Sequence, residues 1–139
     1  MMRQKLILLL MLMLPISVSA KKRQFDWNPV MDAIIQVESK GNPKAHNKDG
    51  DCAGILQITP GLVKQCNTWL KAEKSKKRYT LSDRYNVKKS KEMFIMTQKH
   101  YNKSNNVERA IRIWNGGPGY TVKGTNGYYK KVMKYYKGG

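Results

Sequence analysis

Apolar residues recur at helical spacing in five stretches of this chain, with polar, turn-forming segments between them. Val30, Ala33, Ile34 and Val37 lie three or four apart and predict a first helix, with Asn28 as its N-cap and Pro29 at its first position. Gly41-Asn42-Pro43 ends it, because proline disfavours helical geometry in the residue before it and glycine permits a turn. Glu38 therefore stands at the end of an amphipathic helix. The polar run that follows reads as a loop through Asp51, with room for a short hairpin over Lys44–Asp51.

Thr59-Pro60 repeats the cap-plus-proline signal and opens a second helix whose inner face is Leu62, Val63, Cys66, Trp69 and Leu70. Lys71 to Arg78 reads as an exposed basic linker. A third helix is expected from Val87 to Tyr101, with Met93, Phe94, Met96 and Thr97 turned inward. Val107, Ala110, Ile111 and Trp114 define a fourth, broken at Asn115-Gly116-Gly117-Pro118-Gly119. Tyr128 to Tyr136 reads as a closing helix. Trp27 and Trp69 are expected to pack; Trp114 fits either the core or an exposed stacking role. There are no internal repeats, so the pattern predicts one mainly α domain.

The first twenty residues differ from the rest. MMRQKLILLLMLMLPISVSA has an early basic pair, Arg3 and Lys5, an apolar run and small residues ending at Ala20, the make-up of a secretory signal peptide. The run from Leu6 to Val18 is shorter than the roughly 20 apolar residues a permanent span needs. With a mature start near Lys21, residues 21–139 make a single domain, large enough for one core. The expected location is outside the cytoplasm, periplasmic or secreted, with no stable membrane insertion after cleavage.

Charge narrows the partners. The chain carries 27 Lys+Arg against 9 Asp+Glu; without Arg3 and Lys5 the count is 25 against 9, a net charge of +16. Such a surface attracts polyanions. For an exported protein these are anionic envelope polymers rather than nucleic acid. Cys52 and Cys66, bound for an oxidising compartment, are expected to form a disulfide; closing that loop of about 15 residues would be worth about 3 kcal/mol in the chain-entropy account. His46 and His100 lack the paired short spacings of a zinc site, so no metal and no organic cofactor is expected.

Glu38 is the candidate for chemistry. Val37 and an apolar helix lie beside it, and the apolar Gly54-Ile55-Leu56 is close in sequence, a setting that favours the neutral carboxyl. A carboxylic acid kept protonated near neutral pH can protonate a leaving oxygen, the general-acid step of glycosidic cleavage.

The string around it, Glu38-Ser39, Asn42-Pro43, Gly50, Gly54-Ile55-Leu56-Gln57 and Pro60, resembles the first motif of the soluble lytic transglycosylases of the lysozyme-like superfamily. Ile113-Trp114-Asn115-Gly116-Gly117-Pro118-Gly119 is similar to that family's A-Y-N-A-G-P-G segment, and T-N-G-Y-Y-K-K-V from Thr125 to its closing T-x-x-Y-x-x-x-V helix. The resemblance, from about Trp27 to Tyr136, implies a lysozyme-like fold that acts on peptidoglycan. It implies Glu38 as acid and base, Tyr128 as the assisting hydroxyl, and Gln57 and Asn115 in the sugar cleft. Two departures touch the cleft: Asn47 stands where the family has serine, as a substrate-binding candidate, and Trp114 replaces a tyrosine.

Ordinary glycosidases need a second carboxylate; Asp49 and Asp51, the acids in the first motif's loop, could supply one, but the resemblance puts neither on a family catalytic position. The expected reaction is therefore a one-carboxyl transglycosylation leaving 1,6-anhydro-N-acetylmuramyl ends, carried out by a monomer. Two alternatives are a lysozyme-type hydrolase in which Asp49 or Asp51 orders a water, and a non-catalytic cationic wall binder.

Overall fold

The computed structural model describes residues 23–138 together with Pro15; Pro15 aside, the expected signal peptide lies outside the described residues. Helix α1 (Asn28–Glu38) starts with Trp27 at the N-cap and Pro29 in its first turn, so Asn28 is the first helical residue rather than the cap. Its amide donates to Asp26 Oδ1 at 3.0 Å, which meets the need the cap would have met. Strands β1 (His46–Asn47) and β2 (Cys52–Ala53) then pair antiparallel, His46 opposite Ala53 and Asn47 opposite Cys52. The expected hairpin exists, centred slightly later than Lys44–Asp51.

Thr59 caps α2 (Pro60–Ala72) by accepting from the Leu62 amide at 3.2 Å. The basic linker leads into a 3-10 helix at Leu81–Tyr85 that hydrophobic spacing does not signal. Asn86 caps α3 (Val87–Tyr101) and Asn106 caps α4 (Val107–Gly116). The last helix, α5 (Val122–Met133), begins six residues before its expected start at Tyr128. Gly124 and Gly127 lower the local propensity, but Thr121 takes the Gly124 amide at 3.0 Å and α4 packs along the new helix.

Helices α1 to α5 enclose one core. Val30, Ile34, Leu56, Phe94 and Ile111 are fully buried, and Trp27 closes one side with its ring edge-on to Phe94. Trp69 is half-buried and stacks on the His100 ring at 4.1 Å. Among the described residues no helix is long and apolar enough to cross a membrane.

The expected disulfide is not formed: Cys52 and Cys66 are both free. Cys66 is on the inner face of α2, wholly enclosed in the core, and burial pushes its thiol up to about 12. Cys52 is on β2, half-exposed, with its sulfur 3.8 Å from the Gly50 carbonyl. One cysteine serves as apolar filling and the other as part of a hairpin edge.

Candidate active site

The end of α1 is tied down by the residue after the glutamate. Ser39 Oγ donates to the Ile55 carbonyl at 2.8 Å and takes the Gly41 amide at 3.2 Å, fastening the helix end to the loop 54–57. That loop is tightly folded. Gly54 has φ +81°, and a Cβ there would strike the Arg84 carbonyl, so only glycine fits. Gln57 takes the left-handed region at φ +52°, and its Nε2 donates to the carbonyls of Ala45 at 3.2 Å and Gly54 at 2.9 Å. A side chain expected to meet sugar thus spends its amide hydrogens on backbone, and two hydrogen bonds offset the strained φ.

Glu38 is half-buried, and desolvation raises its pKa, offset in part by the nearby Tyr128 hydroxyl. That hydroxyl is buried without a hydrogen-bond partner of standard geometry, and burial followed by the Glu38 charge pushes its own pKa upward. So α1 and α5, which pack together, bring the two expected catalytic groups face to face. Tyr128 Oη is a buried polar atom close to a half-buried carboxyl.

Trp114 reaches the same loop from α4, its indole donating to the Leu56 carbonyl at 3.0 Å and its ring 4.9 Å from Phe94. Beside it opens a groove of 360 Å³ walled by Gln57, Leu62, Gln65, Tyr101, Trp114 and Pro118. Trp114 thus both seals the core and lines a cleft. Glu38 is not in that wall; it joins it through Ser39 and Ile55, two residues before Gln57. Asn115 is exposed beside Trp114, without a side-chain hydrogen bond among the described residues.

The hairpin uses its polar residues internally. Asn47 is exposed, and its Oδ1 accepts from the Asp49 amide at 3.0 Å, shaping the turn. Asp51 meets His46 Nε2 at 2.7 Å and Arg84 at 3.4 Å, and the His46 contact, followed by the Arg84 charge, holds its carboxyl below the usual range. The Cys52 thiol is raised by burial and then by the charges of Glu38 and Asp51, which places this hairpin edge in the field of the Glu38 carboxyl.

The family profile for the Transglycosylase SLT domain matches residues 15–136. The chain belongs to the SLT transglycosylase family. No curated protein and no solved structure matches it. At family level, SLT domains support a lytic-transglycosylase-like activity on peptidoglycan.

Two buried arginines of this SLT domain escape a motif reading. Arg84 is 5 % exposed and donates to the carbonyls of Leu81 at 2.9 Å, Asp51 at 2.6 Å and Ile58 at 3.0 Å, locking hairpin, loop and 3-10 helix together. Arg112 on α4 donates to Val122 O at 2.9 Å and Thr125 Oγ1 at 3.0 Å, holds Glu108 at 3.2 Å and lies over the Tyr129 ring. It therefore sets where α5 presents Tyr128. Its setting between Ile111 and Ile113 was the available signal; Arg84, in a polar stretch, offered none.

Proposed function

We propose that this SLT domain is an exported lytic transglycosylase that cleaves the β-1,4 bond between N-acetylmuramic acid and N-acetylglucosamine in peptidoglycan, with Glu38 as its one acid/base. The observation that carries the reading is the half-buried Glu38 carboxyl, raised by desolvation, beside the buried and unpartnered hydroxyl of Tyr128. Protonated Glu38 gives its proton to the glycosidic oxygen as the C1–O bond breaks. The sugar's N-acetyl oxygen stabilises the positive C1. The Glu38 carboxylate then takes the proton of the C6 hydroxyl, and O6 bonds to C1, closing the 1,6-anhydro ring and restoring the acid. No water is consumed, and an intramolecular nucleophile has the advantage of proximity. Tyr128 Oη can donate to the carboxylate formed midway. The groove beside Gln57 and Trp114 would receive the strand, with Asn115 at its exposed rim.

The hydrolytic alternative loses ground at Asp51 and Asp49. Asp51 is committed to His46 and Arg84, and Asp49 sits on the exposed hairpin turn, so neither is free beside Glu38 to order a water. The signal-peptide pattern of residues 1–20 supports action outside the cytoplasm.

The test is mass spectrometry of fragments that the protein releases from purified peptidoglycan. Anhydro-muropeptides are expected, and Glu38→Gln should lower their yield by about 10²–10⁴-fold, the usual worth of a general acid. Reducing ends in place of anhydro ends would make the protein a hydrolase; intact binding with no fragments would make it a binder.

A further inference from the structure

Helix α2 separates two grooves. Leu62 and Gln65 wall the cleft beside Trp114, while Lys64, Asn67 and Lys71 line a second groove of 410 Å³ on another face, closed by Arg78 and Tyr79 from the segment that follows. The second groove is cationic, with three basic side chains and no Asp or Glu in its wall. Lys64, Lys71 and Arg78 are exposed and make no salt bridge among the described residues, whereas Lys77 and Lys89 close by are paired to Glu92 and Asp83. From these cations we infer that the groove is a docking site for a linear, non-aromatic polyanion of the cell wall.

The floor is rigid. Asn67 Nδ2 donates to Tyr79 O at 2.9 Å, and Asn67 Oδ1 accepts from Tyr79 N at 2.7 Å, clamping the extended segment against α2. Arg78 Nη1 is bound to the carbonyls of Ser75 at 2.8 Å and Lys77 at 2.6 Å, which orients the guanidinium and leaves Nε and Nη2 for a ligand. A pair of N–H groups in that arrangement grips two oxygens of one phosphate or carboxylate. Lys64 and Lys71 are seven residues apart, about 10 Å along the helix, so the cations form a line rather than a cup. A line fits the repeating oxyanions of a strand better than one small ion.

Nucleic acid is the poorer fit. Single-strand binders stack bases on exposed aromatic rings, and the aromatic residue in this groove, Tyr79, is 4 % exposed with its hydroxyl donating to Glu92 at 2.9 Å. A polyol-phosphate or uronic acid chain needs no such ring. Because both grooves share α2, a docked polymer would hold the domain with its Trp114 cleft next to the same wall layer. The inference rests on the proposed wall-directed function for where the ligand occurs, and its test is separate from turnover.

The experiment measures binding of the full domain to poly(glycerol phosphate), to polygalacturonate and to a single-stranded oligonucleotide, by titration at low and at moderate salt. The variants are Lys64→Gln/Lys71→Gln, the same pair with Arg78→Gln, and a charge-matched Lys88→Gln/Lys99→Gln/Lys103→Gln control. At least one wall-type polymer should bind, lose about tenfold or more in affinity in the double variant and more in the triple, and lose far less in the control. Which polymer binds tells whether the oxyanion is phosphate or carboxylate. Unchanged thermal melts and unchanged cleavage of polymer-free glycan strands would separate a lost dock from a lost fold or a lost active site. Equal losses in groove and control variants, no polymer binding, or tighter groove-dependent binding of the oligonucleotide would each overturn the assignment.

Discussion

A half-buried carboxyl and a buried hydroxyl close to each other lead to two opposed predictions about single residues. Glu38 has a pKa raised by desolvation, so its neutral form is favoured in the folded protein and its ionised form is disfavoured. Stability tied to the neutral group is fully present below the unfolded glutamate value near 4.5 and is lost as pH climbs through the raised folded value. Glu38→Gln, neutral at every pH, should therefore leave the melting temperature unchanged at pH 4 and raise it by a few degrees at pH 8; an equal change at both would show that the carboxyl is not desolvated. Tyr128 is the converse case. Its hydroxyl makes no hydrogen bond of standard geometry and only a weak contact with Glu38, so Tyr128→Phe should cost little stability or add some, because a buried, poorly paired polar group is removed. Since the hydroxyl lowers the pKa of Glu38, its loss should move the alkaline limb of the pH–rate profile, where the acid loses its proton, to higher pH, with kcat down about 10–100-fold. A rate loss with the alkaline limb in place would assign Tyr128 to packing alone. That Glu38 and Tyr128 lie near each other was legible in the sequence, because motif order locates groups whose partner lies far along the chain. Asn47 and Gln57 were less so: whether an amide faces a ligand or its own backbone is decided by turn geometry, and here Asp49 N, Ala45 O and Gly54 O claim them.

At the level of elements, α1 to α4 followed from apolar spacing, helped at α1 and α2 by proline at the helix head; the caps Asn86 of α3 and Asn106 of α4 emerge only in the structure. The start of α5 and the 3-10 helix at Leu81–Tyr85 did not, since apolar spacing is weak there, although Thr121 and the Thr80/Asp83 capping box cap them locally and Arg112 and Arg84 tie them to their surroundings. Arg84 shows how much rests on such a contact. Its guanidinium serves carbonyls on three separate segments around the candidate site. Arg84→Met should cost about 3 kcal/mol in urea denaturation, near the upper end for buried groups that lose a partner, with Lys no better a replacement, because one ammonium cannot reproduce a fork directed at three carbonyls. A loss below about 1 kcal/mol would mean that water satisfies the freed carbonyls.

For the whole molecule, the notable quantity is charge rather than cross-linking. The sequence suggested a disulfide as the staple of a small exported domain, but the core closes around a free Cys66 and needs none to bury its helices. The excess of basic residues remains uncompensated. Of the 9 acids, Asp51, Asp83, Glu92 and Glu108 are used in ion pairs with Lys or Arg, against 27 Lys+Arg in the chain. Self-repulsion on this scale weakens the folded state more than the expanded one, and salt screens it, the Debye length falling from roughly 30 Å at 0.01 M to 3 Å at 1 M. The melting temperature should therefore rise by several degrees as sodium chloride goes from 10 mM to 0.5 M, although exposed ion pairs such as Lys77–Glu92 weaken over the same range. A polyanion that docks on α2 should bring a further rise at low salt, because it binds the folded state and places negative charge where repulsion is concentrated. A melting temperature that falls with salt would mean that the few ion pairs outweigh the many unpaired lysines, and a polyanion without effect at low salt would leave the groove on α2 without a ligand.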